Sequence, residues 1–558
     1  GGAATRADAG AILDGRIVAL RGLGGYQLLA DATSPQAVEQ LRAKKKRPSK
    51  PLAVMVAGRR EAERYAILND AERQLLQSPA GSIVLLATSE GLHRGSICAS
   101  VTAGLNTIGL MLPTTPLHSL LLDRLDRPLI CTSANVEGDP LIFDSRAAAE
   151  QLPALADVVL NHNRPIRRPI DDSVVRVMAG HATAIRLARG YAPLSLEIET
   201  DRPIIALGGH LKTSVAISNG VQAVLGPHLG DLETLATRER YVEHVAELRQ
   251  LYNSDDPNFV CDRHPDYFTS QWAAGQSRQV LQVNHHHAHI VAGMCEQGWL
   301  DRAVLGISFD GTGFGNDGTI WGGEILRVTV DHFQRIGMLR PFSLPGGEHA
   351  VREPWRVATA LVYAAAGEDQ AARLRFRDGD PKSLLPVLRR PRLSPRTSSA
   401  GRLFDGVAAI VLGTEHAELA GQPAMLLEAA CDASAHGAYD CPINSDTVKQ
   451  LDWRRLVRQL LQDKSLGATP GEMAMRFHRS LADALFAFCS ANRSTPVVLG
   501  GGVFQNRILV ELLTERFARV NQPLGLPGMI PPNDGGLAAG QLAIAAAQLR
   551  KEAHHACA

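Results

Sequence analysis

Between residue 9 and about residue 193, short apolar runs alternate with longer stretches whose apolar positions recur at helical spacing. Residues 17–20 read as a strand running into the glycine-rich segment 22–26. Residues 34–47 read as a helix, with Ser34 as its cap and Pro35 at the first position, where a missing N–H has no helical partner to lose. Residues 51–56 and 83–86 read as further strands, and 195–203 as a linker. A new strand at 204–207 then enters Gly208-Gly209, and strand, glycine turn and helix recur from there. The polar, proline- and arginine-rich stretch 389–402 is predicted to be an exposed loop. Residues 536–553 are predicted to form an alanine- and leucine-rich helix with Asp534 near its N-terminus. There is no short-period repeat and no heptad pattern. The pattern predicts an α/β protein in two parts, residues 1–195 and 203–558.

Composition narrows the function classes. A chain of 558 residues exceeds one ordinary domain. Its 45% hydrophobic and 21% charged content is that of a soluble globular protein. A formal net charge of +1 provides no global field for nucleic acid, so any polyanion contact is expected to be local. No apolar run is long enough to span a bilayer and no secretory signal opens the chain, which points to a cytoplasmic protein without a membrane partner. The first residue is Gly1 rather than methionine, which reads as a fragment or a processed chain. The 8 cysteines are scattered with no CxxC pair, against a zinc ribbon or disulfide scaffold and in keeping with a reducing compartment.

The chemistry concentrates in a few tracts. In Asn284-His285-His286-His287-Ala288-His289, His285 and His289 stand four apart, which on a helix puts both imidazoles on one face. That pair is either a polar helix face or half of a transition-metal site. Asp534, on the tight turn of Pro532-Asn533-Asp534-Gly535, is a candidate third ligand; two histidines and one distant carboxylate leave an open position suited to catalysis. Two apolar strands run into glycine-rich turns, at Phe309-Asp310-Gly311-Thr312-Gly313 and at Gly500-Gly501-Gly502-Val503-Phe504-Gln505-Asn506. Such turns bring backbone amides close to phosphate, so Asp310, Gly311, Gly313, Gly500, Gly501, Gly502 and Asn506 are candidate nucleotide contacts.

The first part has chemistry of its own. Lys44-Lys45-Lys46-Arg47-Pro48-Ser49-Lys50 concentrates cations at a helix end. It reads either as a solvated basic face helped by the helix dipole or as an anion pocket for a triphosphate, with lysine as point charge and arginine as fork. Cys131-Thr132-Ser133-Ala134-Asn135 ends a strand in hydroxyls and an amide, and Ser173 with Arg186 and Arg189 adds another hydroxyl and more guanidinium groups. Lys45, Arg47, Lys50, Thr132, Ser133, Asn135, Ser173 and Arg189 together describe a donor-rich pocket suited to ATP and a small anion.

These residues carry a resemblance. Lys45-Lys46-Arg47-Pro48, Thr132-Ser133-Ala134-Asn135 and Ser173-Val174-Val175 resemble the motifs of the YrdC-like family, which forms carbamoyl-type adenylates from ATP. His285-xxx-His289, Gly501-Gly502-Val503-Phe504-Gln505-Asn506 and Asp534 resemble the TsaD-like family, metal-dependent carbamoyl transferases of the actin-like ATPase superfamily (ASKHA). This order of parts, with Trp321-Gly322-Gly323-Glu324 and Arg352-Glu353-Pro354-Trp355-Arg356, is similar to the HypF family of [NiFe]-hydrogenase maturation.

The resemblance implies a YrdC-like α/β domain followed by a two-lobed TsaD-like α/β domain. It implies ATP with magnesium, iron or zinc on His285, His289 and Asp534, and carbamate derived from carbamoyl phosphate. Lys45 and Arg47 would act catalytically on the triphosphate, and His285 and His289 at the metal. The implied acceptor is the C-terminal cysteine of HypE. Full-length members usually begin with an acylphosphatase-like domain and zinc-finger-like modules, where carbamate is released; no cysteine precedes Cys98 here. His286, His287, Glu348 and Asp405 are expected to support the ligands or the fold. Three rival readings are threonylcarbamoylation of tRNA, O-carbamoylation of a small molecule, and an actin-like kinase. The near-neutral charge disfavours the first, the order of the parts the second, and the basic tract of the first part the third.

Overall fold

A computed structural model describes residues 2–89, 91–92, 96–276 and 280–557. The chain forms two compact units: Gly1–Leu194 with His210–Ser214 and Gly226–Leu248, and Ser195–Gly209 with Val215–Leu225 and Arg249–Ala558. The two short segments are bonded to each other, Leu229 N–H to Thr213 O (2.8 Å) and Leu232 N–H to His210 O (2.9 Å), and to the rest of the first unit by His228 N–H to Leu187 O (2.8 Å). Nothing in their hydrophobic pattern announces this, because the pairings join segments distant along the chain.

The first unit is built on one mixed sheet. Its strands lie in the order His181–Arg186, Val174–Met178, Ile83–Thr88, Thr107–Met111, Val54–Met55, Leu129–Ser133, Tyr26–Asp31, Val18–Arg21 and Val158–Leu160. Alternation along a strand sends successive side chains to opposite faces. Tyr26, Leu28 and Ala30 therefore enter one core, with Val38, Leu41 and Leu152, whereas Leu29 enters another with Leu20, Leu121 and Leu125. The helix Pro35–Lys45 is capped as expected, Ser34 Oγ accepting from Ala37 N at 3.3 Å. It ends two residues before the predicted limit because Lys46 takes a left-handed conformation, φ 51°. The strand expected over 51–56 is only Val54–Met55.

The second unit contains two sheets of the same five-strand order. In one, Ala223–Leu225, Ala216–Asn219 and Pro203–Ala206 run antiparallel, and Asn258–Asp262 and Val280–Val283 continue in parallel. In the other, Phe333–Leu339, Ile320–Val328 and Val304–Phe314 run antiparallel, and Val497–Gly500 and Leu524–Gly525 continue in parallel. Strand order 3-2-1-4-5, met twice, is the repeated half expected of an actin-like two-lobed unit. Part of the predicted linker is a short strand, Leu194–Leu196, at the edge of the first of these sheets.

Two long helices meet on this framework, His285–Gln297 and Leu537–Cys557. Their close crossing requires Gly540, where a Cβ would sit 1.9 Å from the Ala288 carbonyl oxygen. Gly293 likewise lets the histidine helix lie on the sheet, a Cβ there meeting Val498 Cγ1 at 2.5 Å. No helix among the described residues is long and apolar enough to cross a membrane.

Two local expectations are corrected. The segment 389–402 is an exposed loop only in part: Arg389, Arg390, Arg392, Leu393, Pro395 and Arg396 are exposed, whereas Ser394 and residues 397–402 are buried, Arg396–Thr397 is a strand, and a helix starts at Ala400. Tertiary partners override its polar composition, Thr397 pairing with Ile320 and with Phe342. Nor is Asp310–Gly313 a turn. The strand continues to Phe314 through an irregularity, with Gly313 opposite Trp321 and Phe314 opposite Ile320.

Candidate active sites

In the first unit the helix end at Lys45 delivers its cations to the end of the strand Leu129–Ser133. Lys45 is 1% exposed and its ammonium donates to the carbonyls of Ser133 and Asn135, each at 2.6 Å. Burial, reinforced by the Arg47 charge, brings its pKa down to about 7. Arg47 donates from Nη2 to Pro51 O at 2.6 Å and from Nη1 to Thr132 Oγ1 at 3.4 Å, and its Nε is buried without an acceptor among the described residues. Burial, partly offset by Glu137, lowers its pKa to about 10. Lys50 pairs with Glu137 at 3.0 Å and is lowered by burial and then by Arg47.

The hydroxyl and amide groups are placed differently from one another. Ser133 Oγ donates to Asn135 Oδ1 (2.6 Å) and Asn135 Nδ2 to Asp139 O (2.7 Å), so both shape the loop above Lys45. Ser173 Oγ donates to Arg189 O (3.0 Å) and accepts from Ala188 N (2.8 Å). The Arg189 guanidinium is taken by Asp172 (2.7 Å), Gly81 O (2.8 Å) and Ala80 O (3.1 Å). Ser173 and Arg189 thus hold each other and the neighbouring backbone, whereas Arg47 meets Thr132 and leaves its Nε unpartnered among the described residues. One participant was not foreseen. His228 lies in the field of Arg186, Asp171 and Lys50, and burial followed by the Arg186 charge lowers its pKa to about 4. No motif marks it, because it belongs to a segment far along the chain.

In the second unit the predicted helix forms, with Asn284 accepting from the N–H groups of His286 and His287 at 3.0 and 3.1 Å. His285 and His289 are buried side by side, Nε2 to Nε2 3.1 Å. Asp534 Oδ1 stands 3.8 Å from His285 Nε2 and 3.5 Å from His289 Nε2. Asp310 joins them, its Oδ2 3.3 Å from His285 Nε2 and 3.0 Å from His289 Nε2. One ligand atom from each of the four residues lies within 4.8 Å of every other. Edges of 3.0–3.8 Å suit a polyhedron with bonds of about 2.1 Å, so this donor set fits a divalent transition metal.

The surroundings hold these groups in place. Asp262 Oδ2 binds His285 Nδ1 at 2.7 Å, which presents Nε2 to the centre. Asp310 Oδ1 accepts from Gly311 N (2.7 Å) and Gly502 N (3.2 Å), turning Oδ2 towards the imidazoles. Glu296, two turns beyond His289, accepts from Met529 N (3.1 Å) and Ile530 N (2.6 Å) and anchors the loop that leads to Asp534. Burial disfavours protonation of both histidines, but Asp262, Asp310 and Asp534 outweigh it at His285, and Asp310 and Asp534 do so at His289, so both pKa values are raised. Burial would raise the Asp310 pKa, yet hydrogen bonds from His285 and His289 hold it well below the carboxylate range. So acidic a setting favours positive charge among these four groups.

The glycines act mainly by admitting neighbours. A Cβ on Gly313 would lie 2.4 Å from His286 Cε1 and 3.0 Å from His285 Cδ2. Gly501 has φ +98°, and a Cβ there would meet Phe309 O at 2.2 Å; a Cβ on Gly500 would meet His289 O at 2.9 Å. The amide of Gly501 is bonded to Pro532 O (2.9 Å) and that of Gly502 to Asp310. Asn506 caps the helix Arg507–Ala518 through Leu509 N (2.9 Å) and meets His478 Nε2 at 2.9 Å. Gly311 keeps an open side: the nearest atom to a Cβ there is Arg402 Nη2 at 3.8 Å.

Comparison with known proteins follows the same division. The family described as telomere recombination (Sua5, YciO, YrdC) matches residues 10–188, the HypF Kae1-like domain residues 199–296, and the second subdomain of the carbamoyltransferase Kae1-like domain residues 306–541. The carbamoyltransferase HypF of Synechocystis sp. is 39% identical over 95% of this chain and 71% of its own length. That of Rhizobium leguminosarum is 38% identical over 95% and 70%. A full-length HypF solved in a phosphate- and nucleotide-bound form has a TM-score of 0.92 at 34% identity, covering 98% of this chain and 86% of that one. The HypF of T. kodakarensis has a TM-score of 0.91 at 27% identity, over 98% and 73%.

Proposed function

The chain belongs to the HypF family of carbamoyltransferases, and from that premise we propose that it carries out two reactions in [NiFe]-hydrogenase maturation. The first unit would join carbamate to ATP, and the second would pass the carbamoyl group to the C-terminal cysteine thiolate of HypE. The observation that carries the reading is the pairing, in one chain, of a desolvated cationic cluster of Lys45, Arg47 and Lys50 and a His2Asp2 centre.

In the first reaction a carbamate oxygen attacks the α-phosphorus of magnesium-bound ATP, and the bond to pyrophosphate breaks. Negative charge moves to the leaving group. Arg47, Lys50 and Thr132 would meet that charge. Lys45 would fix the loop of Ser133 and Asn135 through its two carbonyl contacts and add its field. Ser173 and Arg189 would define the wall against which the nucleotide rests.

The product, carbamoyl-adenylate, is a mixed anhydride. In the second reaction the thiolate attacks its carbonyl carbon, a C–S bond forms, and the C–O bond to AMP breaks. Iron or zinc held by His285, His289, Asp310 and Asp534 would supply an electrophile for the carbonyl oxygen. Asp262 orients His285, and Glu296 and Gly501 hold the turns that carry Asp534 and Gly502. Gly311 and the turn Gly500–Gly502 would border the adenylate.

The test is AMP formation from ATP with carbamoyl phosphate, ammonium bicarbonate, or threonine plus bicarbonate. Activity with either of the first two supports the proposal. Activity only with threonine plus bicarbonate replaces it with tRNA threonylcarbamoylation.

A further inference from the structure

The helix Ala400–Leu412 begins against the strand that carries Asp310. Ser399 caps it, accepting from Arg402 N at 3.0 Å and donating to the carbonyls of Asp310 (3.0 Å) and Gly311 (2.6 Å). A Cβ on Gly401 would lie 2.8 Å from Gly311 Cα, so this first turn is seated directly on residues 310 and 311. Arg402 follows, 5% exposed. Among the described residues its guanidinium has one ion-pair partner, Asp405, from Nη2 to Oδ2 at 3.0 Å. Nε and Nη1 are buried without an acceptor among the described residues, and Asp405 Oδ1 is buried without a donor. Burial pushes the Asp405 carboxyl up to about 6 against the opposing pull of Arg402, as for a pair shut away from water.

A buried guanidinium with idle donors is costly unless water or a ligand meets them, and Arg402 is the one arginine among the described residues with two such nitrogens. The contrast with Arg189 is direct: there every terminal nitrogen has an acceptor. Arg402 also lies beside Gly311, whose missing side chain leaves its Nη2 3.8 Å from the Cβ position, one residue from a metal-site carboxylate.

We propose that Arg402 binds the phosphate of the adenylate at the metal centre and stabilises it as leaving group. The inference rests on the two-step reading above. As the thiolate forms the C–S bond and the C–O bond breaks, the electron pair goes to the phosphate oxygen of AMP. The idle donors of Arg402 accept that charge as hydrogen-bond donors, and Asp405 holds the guanidinium at the required height.

The experiment uses the full chain loaded with metal, as wild type, Arg402→Ala, Arg402→Lys and the double variant Arg402→Met/Asp405→Asn. Metal content, calorimetric titration with AMP, and carbamoyl transfer to a cysteine-terminated peptide are measured. Wild type is expected to bind AMP at two sites. Arg402→Ala should keep its metal, weaken one AMP site by at least about tenfold and lose transfer by about a hundredfold or more. Millimolar guanidinium should restore part of that transfer, and Arg402→Lys should restore less than half of it. Unchanged AMP binding in Arg402→Ala overturns the proposal. So does wild-type transfer by the double variant, since the pair would then serve packing alone. Wild type that makes no AMP from ATP with either carbamate source refutes the two-step reading instead, and the AMP titration still judges Arg402.

Discussion

Asp310 offers the sharpest test of the proposed metal centre, because its replacement by asparagine keeps the shape and removes the charge. Its Oδ1 would still accept from Gly311 and Gly502, so the side chain stays in place. Its Oδ2, 3.0 Å from His289 Nε2, would become a neutral ligand or a nitrogen. A unit charge about 4 Å from a cation contributes about 4 kcal/mol at an effective dielectric of about 20. That is about three decades in Kd, and the retained amide oxygen recovers part of it, so a loss of about 10²- to 10³-fold is expected. Asp262→Asn is the control. Asp262 touches the centre only through His285 Nδ1, at 2.7 Å, so its loss should cost about 10- to 100-fold. The assay is zinc competition against a chromophoric chelator of known affinity, with thermal unfolding to confirm that each variant folds. Asp310→Asn within about threefold of wild type, or weaker in effect than Asp262→Asn, would refute the four-ligand reading.

Further outcomes follow from single contacts. Gly313→Ala would drive a methyl group into His286 and His285, so metal content after dialysis should fall well below stoichiometric. Lys45→Met leaves the Ser133 and Asn135 carbonyls without their donor; a stability loss of about 2–5 kcal/mol in urea and an at least hundredfold fall in AMP formation are expected. Glu296→Ala frees the loop before Asp534 and should weaken zinc binding by about tenfold in the same competition assay. His118, fully buried, has its pKa lowered to about 4 by desolvation and then by Arg189, from 6.5 in the unfolded chain. The unfolded state therefore binds the extra proton between these values, and stability present above pH 6.5 is lost as pH falls towards 4, by about 2 kcal/mol at pH 5. His118→Leu should flatten the urea-measured stability over that range, and an unchanged slope would exclude His118 as the source.

The residues that could be read in advance are those whose chemistry depends on spacing along one element. His285 and His289 are one turn apart, and any helix there places them together. Lys45 and Arg47 flank a helix end whose start was marked by Ser34 and Pro35. Asp310 was read as a phosphate contact in a turn because Asp-Gly-Thr-Gly has turn composition; pairing of Gly313 with Trp321 keeps it in the strand, and the bonds from Gly311 and Gly502 swing it towards the histidines. Asp262 and His228 had no local signal at all. Gly501 and Gly502 were read as phosphate donors, but their amides go to Pro532 O and Asp310.

By itself the amino-acid sequence determined the two-part α/β order, the helix that carries the imidazole pair, the capped helix that ends in the basic tract, and the placement of Asp534 at the start of the last long helix. These follow from periodicity, capping and turn chemistry, which act over a few residues. Only the tertiary structure decided that Asp310 joins the imidazole pair, that Asp262 stands behind His285, that residues 397–402 are buried, and that Arg402 lies with idle donors beside Gly311. Those outcomes depend on which strands pair and how closely helices cross. A polar residue's partner is then chosen by proximity in space, where desolvation makes every buried charge find an opposite charge, a hydrogen bond or a ligand.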